Sequence, residues 1–106
     1  MTDKYILEGH EAVPCDDLMA WGRWYETAER QVDRTEVGHF TVSTVFLGLD
    51  HGWSESGPPI LFETMMFTRN DQRRAEFEDY QTRCSTWDEA VAMHAEAVRV
   101  ARAALD

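Results

Sequence analysis

The sequence predicts an α+β domain: an antiparallel sheet closed by a C-terminal helix. Three observations carry that expectation. Residues 42–49 and 60–68 are dense in β-branched and aromatic side chains, a loop-forming stretch separates them, and an apolar seam at helical spacing runs through residues 87–105. The expected architecture is a sheet of three to four strands with two helices packed on one face, in the order strand, helix, strand, strand, short strand, helix.

The first strand is read from Tyr5, Ile6 and Leu7, and it ends at the turn-like Glu8-Gly9-His10. Asp16 and Asp17 follow Pro14 and Cys15; Asp16 can cap a helix and Asp17 can sit at its positive end. Leu18, Trp21, Tyr25 and Ala28 then recur at three- and four-residue intervals, so the spacing predicts a helix over about residues 16–31. Trp24 extends its apolar face, and Gly22 within it costs about 1 kcal/mol relative to Ala.

Residues 42–49 and 60–68 do not alternate cleanly, as expected of strands at least partly covered on both faces. Residues 50–59, rich in Gly, Ser and Pro, make the intervening loop, so the pair reads as a long-looped antiparallel hairpin. The charged stretch 70–78 reads as a solvated connection, and residues 79–85 as a short last strand with Tyr80, Thr82 and Cys84 on one side. Thr86 and Glu89 have the spacing of a capping box for the final helix. Its stripe is Trp87, Val91, His94, Val98, Ala101 and Leu105, broadened by Ala90, Ala97 and Ala104.

With 106 residues there is room for one core and one domain. No stretch approaches the ~20 apolar residues of a membrane span, and the N-terminus has no signal-peptide pattern, which places the expected protein in the cytoplasm. Cys15 and Cys84 match no metal or redox spacing and read as free thiols. Twenty acidic residues against ten basic give a formal charge of -10, which repels nucleic acid and anionic membranes. The same charge would steer the chain toward a protein with a basic surface, although acidity also serves solubility alone.

No catalytic, phosphate-binding or metal signature is present, and no cofactor is implied. His94 interrupts an apolar stripe, so it is either a core histidine satisfied by its neighbours or a functional group meeting Asp50, His51 or Glu63 in a pocket. Asp50, His51 and Trp53 follow the most strand-like segment, where functional loops are often held; Trp53 would either fold back as a lid or be offered to a partner. Glu63 interrupts an apolar strand, and it either faces solvent from the uncovered side of the sheet or pairs with Arg69, Arg83 or a histidine. Trp21 and Trp24 could stack a base or sugar, but at helical spacing they read first as core. A polyanionic ligand would require an arginine cluster such as Arg23, Arg69 or Arg83.

Several runs carry a resemblance: Tyr5-Ile6-Leu7-Glu8-Gly9, Pro14-Cys15-Asp16-Asp17-Leu18, Trp21-Gly22-Arg23-Trp24, residues 42–51, residues 57–65 and Ser85-Thr86-Trp87-Asp88-Glu89-Ala90. Together they resemble a group of short uncharacterised proteins of bacteriophages and prophages. The resemblance implies a phage or mobile-element origin, hence the cytoplasm of a host cell, and implies no activity or site residues. Small size, acidity and the absence of a catalytic signature then favour an accessory protein that binds a host or defence protein, such as an inhibitor of a CRISPR effector. The alternatives are a nucleotide-binding module or small enzyme using a His51, Glu63 and His94 pocket, and a self-associating structural component such as a homodimer.

Overall fold

The computed structural model describes residues 2–52, 57–77 and 79–105. It has the expected α+β architecture, with antiparallel pairing throughout. Strands β1 (Tyr5–Glu8) and β2 (Glu11–Pro14) form a hairpin, and helix α1 (Leu18–Thr27) follows. Strands β3 (Gln31–Val37), β4 (Phe40–Phe46), β5 (Phe62–Thr68) and β6 (Gln81–Cys84) form a second sheet in sequential order. Between β5 and β6 lie a 3-10 turn and the one-turn helix α2 (Arg74–Phe77), and α3 (Trp87–Ala104) ends the chain.

Two strands, β2 and β3, were invisible to the sequence reading. β2 offers only Ala12 and Val13 as apolar signal, and β3 interleaves Val32 and Val37 with Asp33, Arg34 and Glu36. The helix expected to reach residue 31 stops at Thr27, because Arg30 and Gln31 are drawn into pairing with β4: the Phe46 amide donates to the Arg30 carbonyl at 2.8 Å. Its cap is Asp17 and not Asp16; the Asp17 carboxylate accepts from the amides of Met19 and Ala20 at 3.0 and 3.1 Å. β4 starts two residues before the expected position because Gly38, at φ +59, makes a two-residue turn that pairs Val37 with Phe40. It ends early as well. Gly48, at φ +79, turns the chain under Trp21 and Tyr25, where a Cβ would meet the Tyr25 ring at 3.2 Å.

α3 lies across one face of the four-stranded sheet, touching all four strands. Phe40, Val42, Thr44 and Phe46 of β4, with Phe62, Thr64 and Met66 of β5, are buried there. α1 packs on β1 and reaches the same side through Trp24, whose ring stands edge-on to Phe46 at 5.8 Å. The buried line of α3 is Ala90, His94, Ala97 and Ala101, whereas Val91, expected in the seam, is 52% exposed. Alternating four- and three-residue spacing fits more than one stripe, and the alanines win because small side chains let the helix approach the strands closely.

The capping box forms as read: the Thr86 hydroxyl accepts from the Glu89 amide at 3.2 Å, and the Glu89 carboxylate accepts from the Thr86 amide at 3.0 Å. Thr86→Ala is expected to lower stability by about 1 kcal/mol. A urea titration should show this as a lower midpoint with an unchanged slope. Among the described residues no helix is long and apolar enough to cross a membrane.

Candidate functional site

The residues singled out from the sequence are dispersed. His94 is buried in the middle of the sheet–helix interface, with Nδ1 2.7 Å from the Thr44 hydroxyl and Nε2 2.8 Å from that of Thr35. Thr44 also meets the Thr64 hydroxyl at 2.5 Å. A neutral imidazole donates from one nitrogen and accepts at the other, and hydroxyls rotate to suit, so the array is satisfied within the chain. Burial pushes the His94 pKa below its ordinary value, opposed in part by the Asp33 carboxylate, whose Oδ2 lies 3.6 Å from Nε2. Thr44 and Thr64 are fully buried, so no substrate reaches their hydroxyls. This is a polar layer between two apolar clusters, one around Phe40 and Met66, the other around Phe46 and Phe62.

Glu63 lies on the opposite face of the sheet from His94, since its neighbours Phe62 and Thr64 face α3 and side chains alternate along a strand. It is almost buried there. The Arg83 guanidinium and the Gln81 amide donate to its carboxylate at 2.9 and 2.7 Å, so of the two readings pairing with Arg83 is the one realised. Asp50 closes its own loop by accepting from the amides of Gly52 and Ile60 at 2.7 and 2.9 Å. His51 is exposed, and its Nδ1–H donates to the Leu49 carbonyl at 2.8 Å. Trp53 lies outside the described residues. Among the described residues His51, Glu63 and His94 do not converge, since Glu63 and His94 stand on opposite faces of the sheet and His51 is exposed beyond β4.

Trp21 and Trp24 are pins of the fold. The Trp21 indole N–H donates to the carbonyls of Tyr5 and Gly48, at 3.1 and 3.2 Å, and its ring packs on Tyr25. Arg69 and Arg83 are engaged by Glu36 and Glu63, while Arg23 sits apart on α1, so the three arginines form no anion site. Burial pushes the Cys84 thiol up to about 11, which keeps it protonated and unreactive at neutral pH. Among the described residues no group of three His, Cys, Asp or Glu is placed to hold a metal ion.

A concavity of another kind lies elsewhere. A cleft of about 650 Å³ opens between the β1–β2 hairpin, Pro58 and Pro59, and the start of α3. Its walls are aromatic and apolar, including Tyr5, Leu61, Phe62 and Trp87, and its charged side chains are Glu8, Glu11 and Asp88. The His10 ring stacks on Trp87 with centroids 3.8 Å apart and planes 4° from parallel, joining the hairpin turn to the helix. Hairpin register sets Glu8 directly opposite Glu11, a like-charge pair that disfavours the hairpin in isolation. Among the described residues none of Glu8, Glu11 and Asp88 has a basic partner. The Glu89 carboxylate adds a further negative charge over the helix N-terminus by accepting from the Ser85 and Thr86 amides.

The sequence reading missed this site because it missed β2. Glu8-Gly9-His10-Glu11 read as a hairpin turn, rather than as an end to the strand, would have set the two carboxylates face to face. Compared with known proteins, the chain matches no family model, no curated protein and no solved structure.

Proposed function

We propose that this chain is a small acidic accessory protein that works by binding, and that the hairpin–helix cleft receives a basic, extended segment of a partner protein. The observation that carries this reading is the set Glu8, Glu11 and Asp88, three carboxylates around an aromatic-lined hollow that, among the described residues, make no salt bridge. A lysine or arginine entering there would relieve the Glu8–Glu11 repulsion and lie against the aromatic wall made by Tyr5 and the stacked His10–Trp87 pair. An anionic ligand would meet repulsion from every charged side chain of the cleft.

The net charge of -10 extends the same preference to long range, steering encounter with basic surfaces. The resemblance to short phage proteins makes a host or defence protein in the host cytoplasm the partner of choice, above all one whose basic channel holds nucleic acid, such as a CRISPR effector. Occupying such a channel would inhibit by competition.

The test is calorimetric titration with an arginine-rich peptide and an acidic peptide of equal length. The basic peptide is expected to bind and the acidic one not. Raising salt from about 0.01 M to about 0.1 M shortens the screening length from ~30 Å to ~10 Å, and affinity should fall steeply. Glu8→Lys with Glu11→Lys should weaken binding at least tenfold without loss of fold, since both side chains are exposed. Binding that ignores salt and survives the double charge reversal would remove the cleft from consideration.

A further inference from the structure

The geometry points to a second interaction surface: the face of the four-stranded sheet opposite α3, which we infer packs against the same face of a second copy of this chain. Strand register lays this face out in rows. Glu36, Thr41 and Phe67 form one row, Arg34, Ser43, Met65 and Gln81 the next, and Gln31, Val45, Glu63 and Arg83 the third. α3 covers the other side, and among the described residues no element lies across this one. Phe67 is 52% exposed in the first of these rows, next to Met65 of the second.

Charge selects the occupant. The chain has twenty acidic and ten basic residues, yet this face gathers Arg34, Arg69 and Arg83 against only Glu36 and Glu63. Two copies approaching by any acidic surface repel one another; here they meet across a near-neutral one. The polar groups are moreover already paired within one chain. Glu36 receives Arg34 at 3.1 Å, Arg69 at 2.9 Å and the Thr41 hydroxyl at 2.8 Å; Glu63 receives Arg83 and Gln81; Gln31 donates to Ser43 at 3.0 Å. Burying them against a second copy leaves each charged side chain with an ion-pair partner of its own chain, Glu36 serving both Arg34 and Arg69, which limits the usual penalty of a charged interface. A basic or acidic partner would find no unpaired charge on this face to answer its own.

The patch is also complementary to itself. Next to the protruding Phe67, where β6 has ended, a hollow of about 280 Å³ opens between β5 and α2, lined by Met65, Met66, Phe67, Thr68, Arg74 and Phe77. An apolar cavity of roughly 150 Å³ accommodates a benzene ring. One two-fold contact can thus seat each Phe67 in the hollow of its neighbour, as an isologous interface requires. With strands about 4.8 Å apart and a rise of about 3.3 Å per residue, the face spans roughly 15 by 20 Å. That is below the ~800 Å² per partner of a standard interface, so the pair is reversible and forms at high protein concentration.

Sedimentation equilibrium on the full chain, up to about 1 mM, provides the test. A concentration-dependent dimer is expected, weakened at least tenfold by Phe67→Glu and by Met65→Glu, and unchanged by Leu18→Glu, which alters an exposed side chain on α1. Far-UV circular dichroism checks that each variant is folded. Added salt should strengthen the dimer by screening the mutual repulsion of two chains of charge -10, the opposite sign to that expected for the basic peptide. A chain that stays monomeric over the whole range, or a dimer that both face variants leave intact, would overturn the inference. The cleft variants Glu8→Lys and Glu11→Lys leave the dimer in place, so the two surfaces fail or stand separately.

Discussion

Phe46→Ala is expected to destabilise the protein by about 3–5 kcal/mol, the range for removing a fully buried aromatic ring. Phe46 is the side chain on which three parts of the molecule meet. Its ring is fully buried, 5.3 Å from Phe62 of the neighbouring strand and 5.8 Å from Trp24 of α1, in the cluster that also takes in Tyr5 and Leu7 of the hairpin. Its backbone holds the link between α1 and β3: the Phe46 amide donates to the Arg30 carbonyl, and the Arg30 guanidinium donates to the Phe46 carbonyl at 3.1 Å. For a domain of this size the loss corresponds to a fall in melting temperature of roughly 15 °C or more. Calorimetry of the variant should show it, with Phe46→Leu recovering more than half. A loss below about 1 kcal/mol would mean that the hairpin and α1 are not held by this ring.

His94→Ala is expected to cost about 3 kcal/mol, from the cavity left under α3 and from the lost partners of Thr44 and Thr35. The residue also sets a pH dependence whose sign follows from its environment. Burial holds the folded-state pKa below the ordinary value of 6.5, with the Asp33 carboxylate working the other way. Between the lowered and the ordinary value the unfolded chain therefore binds more protons than the folded one, and stability rises with pH. The stabilisation is complete above 6.5 and is lost as pH falls through the folded-state value. His94→Gln keeps a donor and an acceptor but cannot titrate. As pH is lowered through this interval, urea midpoints should fall for the native chain and change less for the Gln variant; equal slopes would assign the pH response to other groups.

Much of the fold was legible because it rests on short-range signals. The capping box at Thr86 and Glu89 and the β-branched richness of β4 and β5 are local chemistry, and so is the loop between those strands. β2 and β3 escaped because each is held by its partner rather than by its own composition: Val32 and Val37 among charged neighbours say little until β4 is there to pair with. The candidate site was less legible. His94 was picked out correctly as a polar residue in an apolar stripe, but its partners, Thr44 and Thr35, are 50 and 59 residues away along the chain and have no individual signature. Glu63 was legible to the extent that Arg83 was among its named partners. Glu8, His10 and Glu11 carried a signal only as a hairpin, and Trp87 only as a seam residue until His10 was found stacked upon it.

Secondary-structure class, helix caps and the balance of charge belong to the sequence, since they depend on neighbours a few residues apart and on sums over composition. Tertiary structure alone decided which side of α3 meets the sheet, that Glu63 and His94 stand on opposite faces, and that three carboxylates ring an aromatic hollow. Those outcomes depend on register and packing across the sheet, where a shift of one residue moves a side chain from one face to the other.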